Sequence, residues 1–155
     1  SPRALLVGSV PGAMPPLLGW TAVTGRVEWP GLVLFGIMFI WQVPHFIAIS
    51  MYREEEYARA GIKTYVESKG VKSAKRHILF WTAALVPVSL LLVPLNVSGG
   101  IYLASASLLG LIFLGWALRG FRAENPNRWA RGLFLYSLVY LTLIFAAIAV
   151  DATLI

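Results

Sequence analysis

Charged side chains are absent from four long stretches of the chain: between Arg3 and Arg26, from Trp29 to Tyr52, from His77 to Leu118, and from Gly132 to Val150. A helix needs roughly 20 apolar residues to cross about 30 Å of hydrocarbon, so the first, second and fourth stretches each hold one span. The third is long enough for two. Its midpoint, Pro94-Leu95-Asn96-Val97-Ser98-Gly99-Gly100, is a cluster of turn formers, which predicts one helix to about Val93 and another from about Ile101. The pattern therefore predicts an all-α, polytopic transmembrane helical bundle with five spans. Neither the alternation of a membrane barrel nor a repeat is present, so residues 1–155 read as a single transmembrane domain. Pro11, Pro15 and Pro16 are expected to interrupt the first helix, and the groups they free need neighbours.

The charges that remain are distributed unevenly. Five spans place Arg3, the 53–76 loop and the 119–131 loop on one side, and of the thirteen Lys and Arg only Arg26 falls on the other. By the positive-inside rule the basic side is cytoplasmic and the tail from Asp151 to Ile155 lies outside. The formal net charge of +6 is thus a topology signal and calls for no nucleic-acid partner. A content of 58% apolar and 13% charged residues, against about 45–50% and about 25% in soluble domains, agrees with a membrane. The absence of cysteine excludes disulfides, thiol catalysis and Cys-ligated metals. The chain opens on Ser1 with an apolar run almost at once, which reads as part of a longer chain.

Candidate chemistry concentrates on the second helix, in Trp41-Gln42-Val43-Pro44-His45-Phe46 and the following Tyr52-Arg53-Glu54-Glu55-Glu56-Tyr57. Gln42, His45, Ile49, Arg53 and Glu56 are spaced by three or four residues, so they share one face if the helix continues past Tyr52. His45 sits eight residues inside Arg53, about 12 Å at about 1.5 Å per residue, where an ionisable group is costly unless it meets the bundle or a wet cavity. It is either a site residue or a neutral imidazole bonded to a neighbouring helix, for instance to a carbonyl released by Pro44. Three adjacent glutamates could offer a magnesium ligand or simply form a solvated helix end. Lys69, Lys72, Lys75 and Arg76 suit a diphosphate, but topology alone also explains them. His77, at the membrane edge, lies too far from the depth of His45 to make a bis-histidine haem site with it.

The Trp41–Phe46 stretch, with Arg53, Tyr57 and Ala60-Gly61-Ile62, closely resembles the protohaem IX farnesyltransferase (haem O synthase) family of UbiA-type intramembrane prenyltransferases. Gly12-Ala13-Met14-Pro15-Pro16-Leu17-Leu18-Gly19-Trp20 resembles that family's GAxPPLxGW segment, and Ala117-Leu118-Arg119-Gly120 with Trp129-Ala130-Arg131 its ALRG and WAR segments. The resemblance implies a nine-helix fold of which these five spans would be helices five to nine, in a bacterial inner membrane. It also implies transfer of a farnesyl group from farnesyl diphosphate to a vinyl group of haem B, with Mg2+ holding the diphosphate. Carried over by position, Arg53 and Glu56 fall at the second diphosphate and magnesium motif, with Tyr57 supporting that end. His45 becomes the intramembrane histidine that positions haem or handles a proton, flanked by Trp41 and Gln42, while Lys69 matches a basic position near the diphosphate.

Three departures accompany this resemblance. Helices one to four, with the first aspartate-rich motif, are expected from the missing N-terminal part. Glu56 stands where the family has aspartate, and Lys63-Thr64-Tyr65-Val66-Glu67-Ser68 replaces a proline- and valine-rich stretch of equal length. Cations that steady a departing diphosphate, and a dry cavity around an allylic cation, are the physical demands of the implied reaction. The departures leave an alternative: a non-catalytic membrane protein of the same descent that binds haem or an isoprenoid.

Overall fold

A computed structural model describes residues 2–154. Among the described residues seven α-helices follow one another: α1 (Pro2–Thr24), α2 (Trp29–Tyr52), α3 (Glu54–Arg59), α4 (Tyr65–Lys69), α5 (Val71–Leu90), α6 (Gly100–Arg119) and α7 (Pro126–Leu154), with a 3-10 turn at Gly120–Arg122. Helix α2 packs on α5 and α7, α5 on α6, and α6 on α7, so these four close a ring, while α1 rests on the outside of α2. By length and apolar character three segments can cross a membrane: Trp29–Tyr52, Gly100–Arg122 and Pro126–Leu154. Helices α1 and α5 are long as well, but prolines and glycines dilute the first, and Lys72, Lys75 and Arg76 occupy the opening turns of the second.

The ring closes around aromatic side chains, of which Tyr102 and Tyr136 bond their hydroxyls to carbonyls while the buried Tyr140 hydroxyl has no hydrogen-bond partner among the described residues. The Tyr102 hydroxyl donates to the Ser89 carbonyl (2.7 Å), and that of Tyr136 to the Leu109 carbonyl (2.6 Å). Phe113 stacks on Tyr140 with centroids 5.3 Å apart. Burying Phe113, Ile37, Ile78, Leu85, Leu133 and Ile144 locks the four helices by packing, which inside a lipid phase must do most of the work that hydrophobic exclusion does in water.

The expected interruption of α1 is not seen: the helix runs through Pro11, Pro15 and Pro16. Each proline removes one ladder bond, and a brace from α2 stands beside the gap. Gln42 donates its Nε2 to the carbonyls of Ser9 (3.2 Å) and Met38 (3.3 Å), and a side chain at Gly12 would overlap its amide. Close approach of two helices at a small residue is the usual membrane solution. Helix α1 ends at Gly25, whose φ of 72° is the left-handed conformation glycine adopts freely, with its N–H on the Thr21 carbonyl (2.8 Å). At the other turn, α5 stops at Leu90 and α6 starts at Gly100, close to the sequence expectation.

The expected 53–76 loop is largely helical. Residues 71–76 already belong to α5, and the departing Lys63–Ser68 stretch builds α4. Thr64 caps that helix by accepting the Glu67 N–H (3.2 Å), in a Thr-x-x-Glu spacing, and Tyr65 and Val66 are buried among α2 and α5. Thr64→Ala should cost about 1 kcal/mol of local stability, read as faster proteolysis at residues 62–70 without a change in the melting of the bundle. Unchanged cleavage would show that the buried Tyr65 alone holds the segment.

Candidate functional site

His45 is half-buried on the side of α2 that meets α7. Its Nδ1 lies 2.6 Å from the Ser137 hydroxyl, which itself donates to the Phe134 carbonyl (2.6 Å). When the serine proton is committed there, Nδ1 carries the imidazole proton and Nε2 keeps its lone pair. The ring is clamped between Trp41 (centroids 4.5 Å) and Phe134 (4.7 Å), and Phe46 meets it edge-on. Trp41 is fixed in turn, since its Nε1 donates to the Ser137 carbonyl (2.8 Å). Two α2 side chains thus grip one residue of α7. The partner of His45 is this serine and not a carbonyl released by Pro44.

The predicted polar stripe divides between two neighbours. Gln42 turns to α1 and is buried, while His45, about 60° further round at about 100° per residue, turns to α7. Met38 and Ile49 fall on the arc between them, so the open part of this face lies between α1 and α7. The stripe is also broken at its end, because α2 stops at Tyr52 and Arg53 takes a non-helical φ and ψ of −107° and 20° before α3 begins. His77 lines a small cavity of about 80 Å³ together with Val43 and Ile47 of α2. What separates the two histidines is direction: His77 bonds the Tyr65 hydroxyl on α4.

At the α2–α3 junction Arg53 Nη1 reaches Glu56 at 3.5 Å, and its Nε donates to the Tyr52 hydroxyl (3.2 Å). The tyrosine bond, reinforced by the Glu56 charge, pushes the Arg53 pKa further up. Both side chains of the ion pair are exposed, so water screens it and either member can turn to a ligand. Glu55 pairs with Arg59 (3.7 Å) on another side of α3, and Glu54 points elsewhere again, as consecutive helical residues must. Among the described residues no three His, Asp or Glu side chains gather into a metal-holding group. Tyr57 is half-buried one turn beyond Arg53, and its N–H bonds the Arg53 carbonyl (3.1 Å). Lys69 is exposed at the last residue of α4. The structure therefore brings together Trp41 and His45, and separately Arg53, Glu56 and Tyr57. Ser137 and Phe134 escaped sequence reasoning, although Ser137 is a rare polar residue in the apolar run of α7.

Comparison with known proteins places these features in a family context. The UbiA prenyltransferase family matches residues 1–139. The chain is 51% identical over 149 residues to the "Protoheme IX farnesyltransferase" of Sorangium cellulosum, covering 96% of this chain and 53% of that protein. It is 50% identical over 148 residues to the protein of the same name from Myxococcus xanthus, with 96% and 50% covered. The "Protoheme IX farnesyltransferase 1" of Bacillus velezensis is 46% identical over 147 residues, with 94% and 46% covered. The chain spans about half the length of the curated relatives it matches. No solved structure matches it.

Proposed function

The chain belongs to the UbiA prenyltransferase family, and from that premise we propose that it forms half of the active site of an intramembrane farnesyltransferase acting on haem B. The observation that carries the reading is the name shared by relatives of about half identical sequence. In the reaction the allylic C–O bond of farnesyl diphosphate breaks and the diphosphate leaves with the electron pair. The vinyl π electrons of haem B form the new C–C bond, and water adds to the resulting cation and loses a proton. The product carries the hydroxyethylfarnesyl group of haem O.

In this proposal the groove between α1 and α7 takes the greasy part of the substrates, and the chain crosses the membrane five times, so that the α2–α3 junction lies at the cytoplasmic surface. His45 presents Nε2 to the groove as a haem-positioning group or proton acceptor, and Trp41 and Ser137 hold it in place. Gln42 shapes the wall by bracing α1. Arg53, Tyr57 and Lys69 face the diphosphate end. The donor set fits half of a magnesium–diphosphate site, because the ion needs only one or two carboxylates and Glu56 offers one beside a guanidinium. A bound magnesium ion would neutralise the leaving diphosphate. Further carboxylates come, in this reading, from the part of the relatives that the chain does not match.

The test is haem O formation from haem B, farnesyl diphosphate and magnesium in membranes holding the full-length protein that carries this sequence, read by mass. Haem O is the expected product; its absence from folded, haem-bound protein would replace the enzyme with a binding protein. Glu56→Gln should raise the magnesium concentration needed for half-maximal turnover about tenfold or more, a scale typical for lost support at a metal site. Glu54→Gln should not, and equal behaviour of the two would remove Glu56 from the metal.

A further inference from the structure

The end of α6, the turn that follows it and the start of α7 line an open cleft of about 760 Å³ that the proposed reaction does not use. It is lined by Trp116, Arg119, Arg122, Glu124, Arg128 and Trp129, among others. Two glycines set its walls. A side chain at Gly120 would overlap the Trp129 ring, and one at Gly132 would come within 3.2 Å of the Trp116 ring. The rings are tied to each other through Trp129 Nε1, which donates to the Trp116 carbonyl (2.8 Å). Arg119, Gly120 and Trp129 belong to the Ala117–Gly120 and Trp129–Arg131 segments, which the farnesyl-transfer reading leaves without a task.

The cleft carries an excess of positive charge, three arginines against one glutamate. Arg119 lies over the Trp116 ring (5.6 Å), and Lys75 reaches Trp129 (5.9 Å). Among the described residues Arg119, Arg122 and Arg128 form no ion pair, nor does Glu124, the one carboxylate lining the cleft. Asn125 accepts the Arg128 N–H (3.1 Å) and so fixes the start of α7 beneath these guanidiniums. Planar forks of this kind suit phosphate oxygens.

An apolar track leaves the cleft away from the basic end. On α6, Arg119, Trp116, Ile112 and Leu108 follow at steps of three, four and four residues; on α7, Arg128 and Gly132 lead to Val139 and Leu143 on one face. Leu108, Ile112, Val139 and Leu143 are all exposed, and Gly132 to Leu143 spans about 16 Å, the length scale of an acyl chain. This track lies on the side of α7 away from Ser137, since five residues turn a helix by about 140° from its start. The site is therefore separate from the His45 groove.

We propose that the α6–α7 cleft binds an anionic phospholipid, with the headgroup phosphate among Arg119, Arg122 and Arg128, the tryptophans at the interface, and an acyl chain on the Ile112–Val139 track. Basic pockets between spans and interfacial tryptophans are general devices for holding such headgroups. The continuous apolar track favours a lipid over a free phosphate.

The full-length protein carrying this sequence, equilibrated with equimolar phosphatidylglycerol and phosphatidylcholine and analysed by native mass spectrometry, tests this. Wild type should retain phosphatidylglycerol preferentially, and Arg119→Gln/Arg122→Gln/Arg128→Gln should weaken retention by about 100-fold, the scale expected for three basic groups at a membrane surface. Arg131→Gln, an exposed arginine outside the cleft, should leave it unchanged. If the triple variant does not fold, Arg122→Gln alone should weaken retention by about fivefold. Equal retention by wild type and the cleft variants would overturn the proposal, as would an equal loss in Arg131→Gln, which marks diffuse charge. Displacement of the lipid by millimolar inorganic phosphate or diphosphate would also overturn it, in favour of a free-anion site.

Discussion

Replacing His45 with alanine in the full-length protein is expected to lower haem O formation per folded molecule by about 10²- to 10³-fold, the range for losing a positioned acid–base group. The geometry separates this from a folding defect. The ring is only half-buried, and its removal sacrifices one hydrogen bond and two stacking contacts, which together are worth about 1–3 kcal/mol. Ser137→Ala gives the graded control. It frees the tautomer without touching Nε2, so activity should fall about tenfold, with the binding of haem less affected than turnover. Steady-state kinetics in haem B, with thermal melting of each variant, makes the distinction. A His45→Ala protein that turns over normally when folded would reduce the residue to a helix–helix contact, and equal losses in melting and activity would say the same.

The spans of α2, α6 and α7 could be read from uninterrupted apolar runs, because a bilayer imposes length and the absence of charge together. So could the turn after Val93, where proline, asparagine and glycine coincide. Direction was harder to read than depth. Spacing put Gln42 and His45 on one face, yet 60° was enough for α1 to take one and α7 the other, and no sequence period says which neighbour covers which edge. Helix α4 had a local signal, Thr64 three residues before Glu67, masked by the mismatch of the whole stretch to its family pattern. The break at Arg53 had none, since nothing in Tyr52-Arg53-Glu54 disfavours helix. At the ends of α5 and α7 the sequence suggested loop where helix continues, since charge near a membrane edge reads as an exit even when the chain goes on coiling.

Asp151 illustrates the same difficulty and gives the largest stability effect expected of a single substitution. As a lone charge near the end of the chain it suggested an exposed tail, yet it sits inside α7 with 3% of its surface exposed. Its Oδ2 accepts the N–H groups of Gly99 (2.8 Å) and Tyr102 (2.7 Å), so a residue 49 to 52 positions away caps the start of α6. Gly99 offers no side chain to do this itself, and a carboxylate also complements the positive end of the helix. Asp151→Ala leaves two amide donors without their partner in a buried place and should cost about 2–4 kcal/mol. Asp151→Asn keeps an acceptor oxygen while losing the charge, and should cost about 1 kcal/mol. Thr153→Ala, on the exposed side of the same turn, should be neutral. Melting of the three variants in detergent gives the order directly. If Asp151→Ala melts with Thr153→Ala, water or lipid headgroups satisfy the α6 amides and the inter-helix cap carries no stability. If Asp151→Asn falls as far as Asp151→Ala, charge and not hydrogen-bond acceptance is what α6 requires.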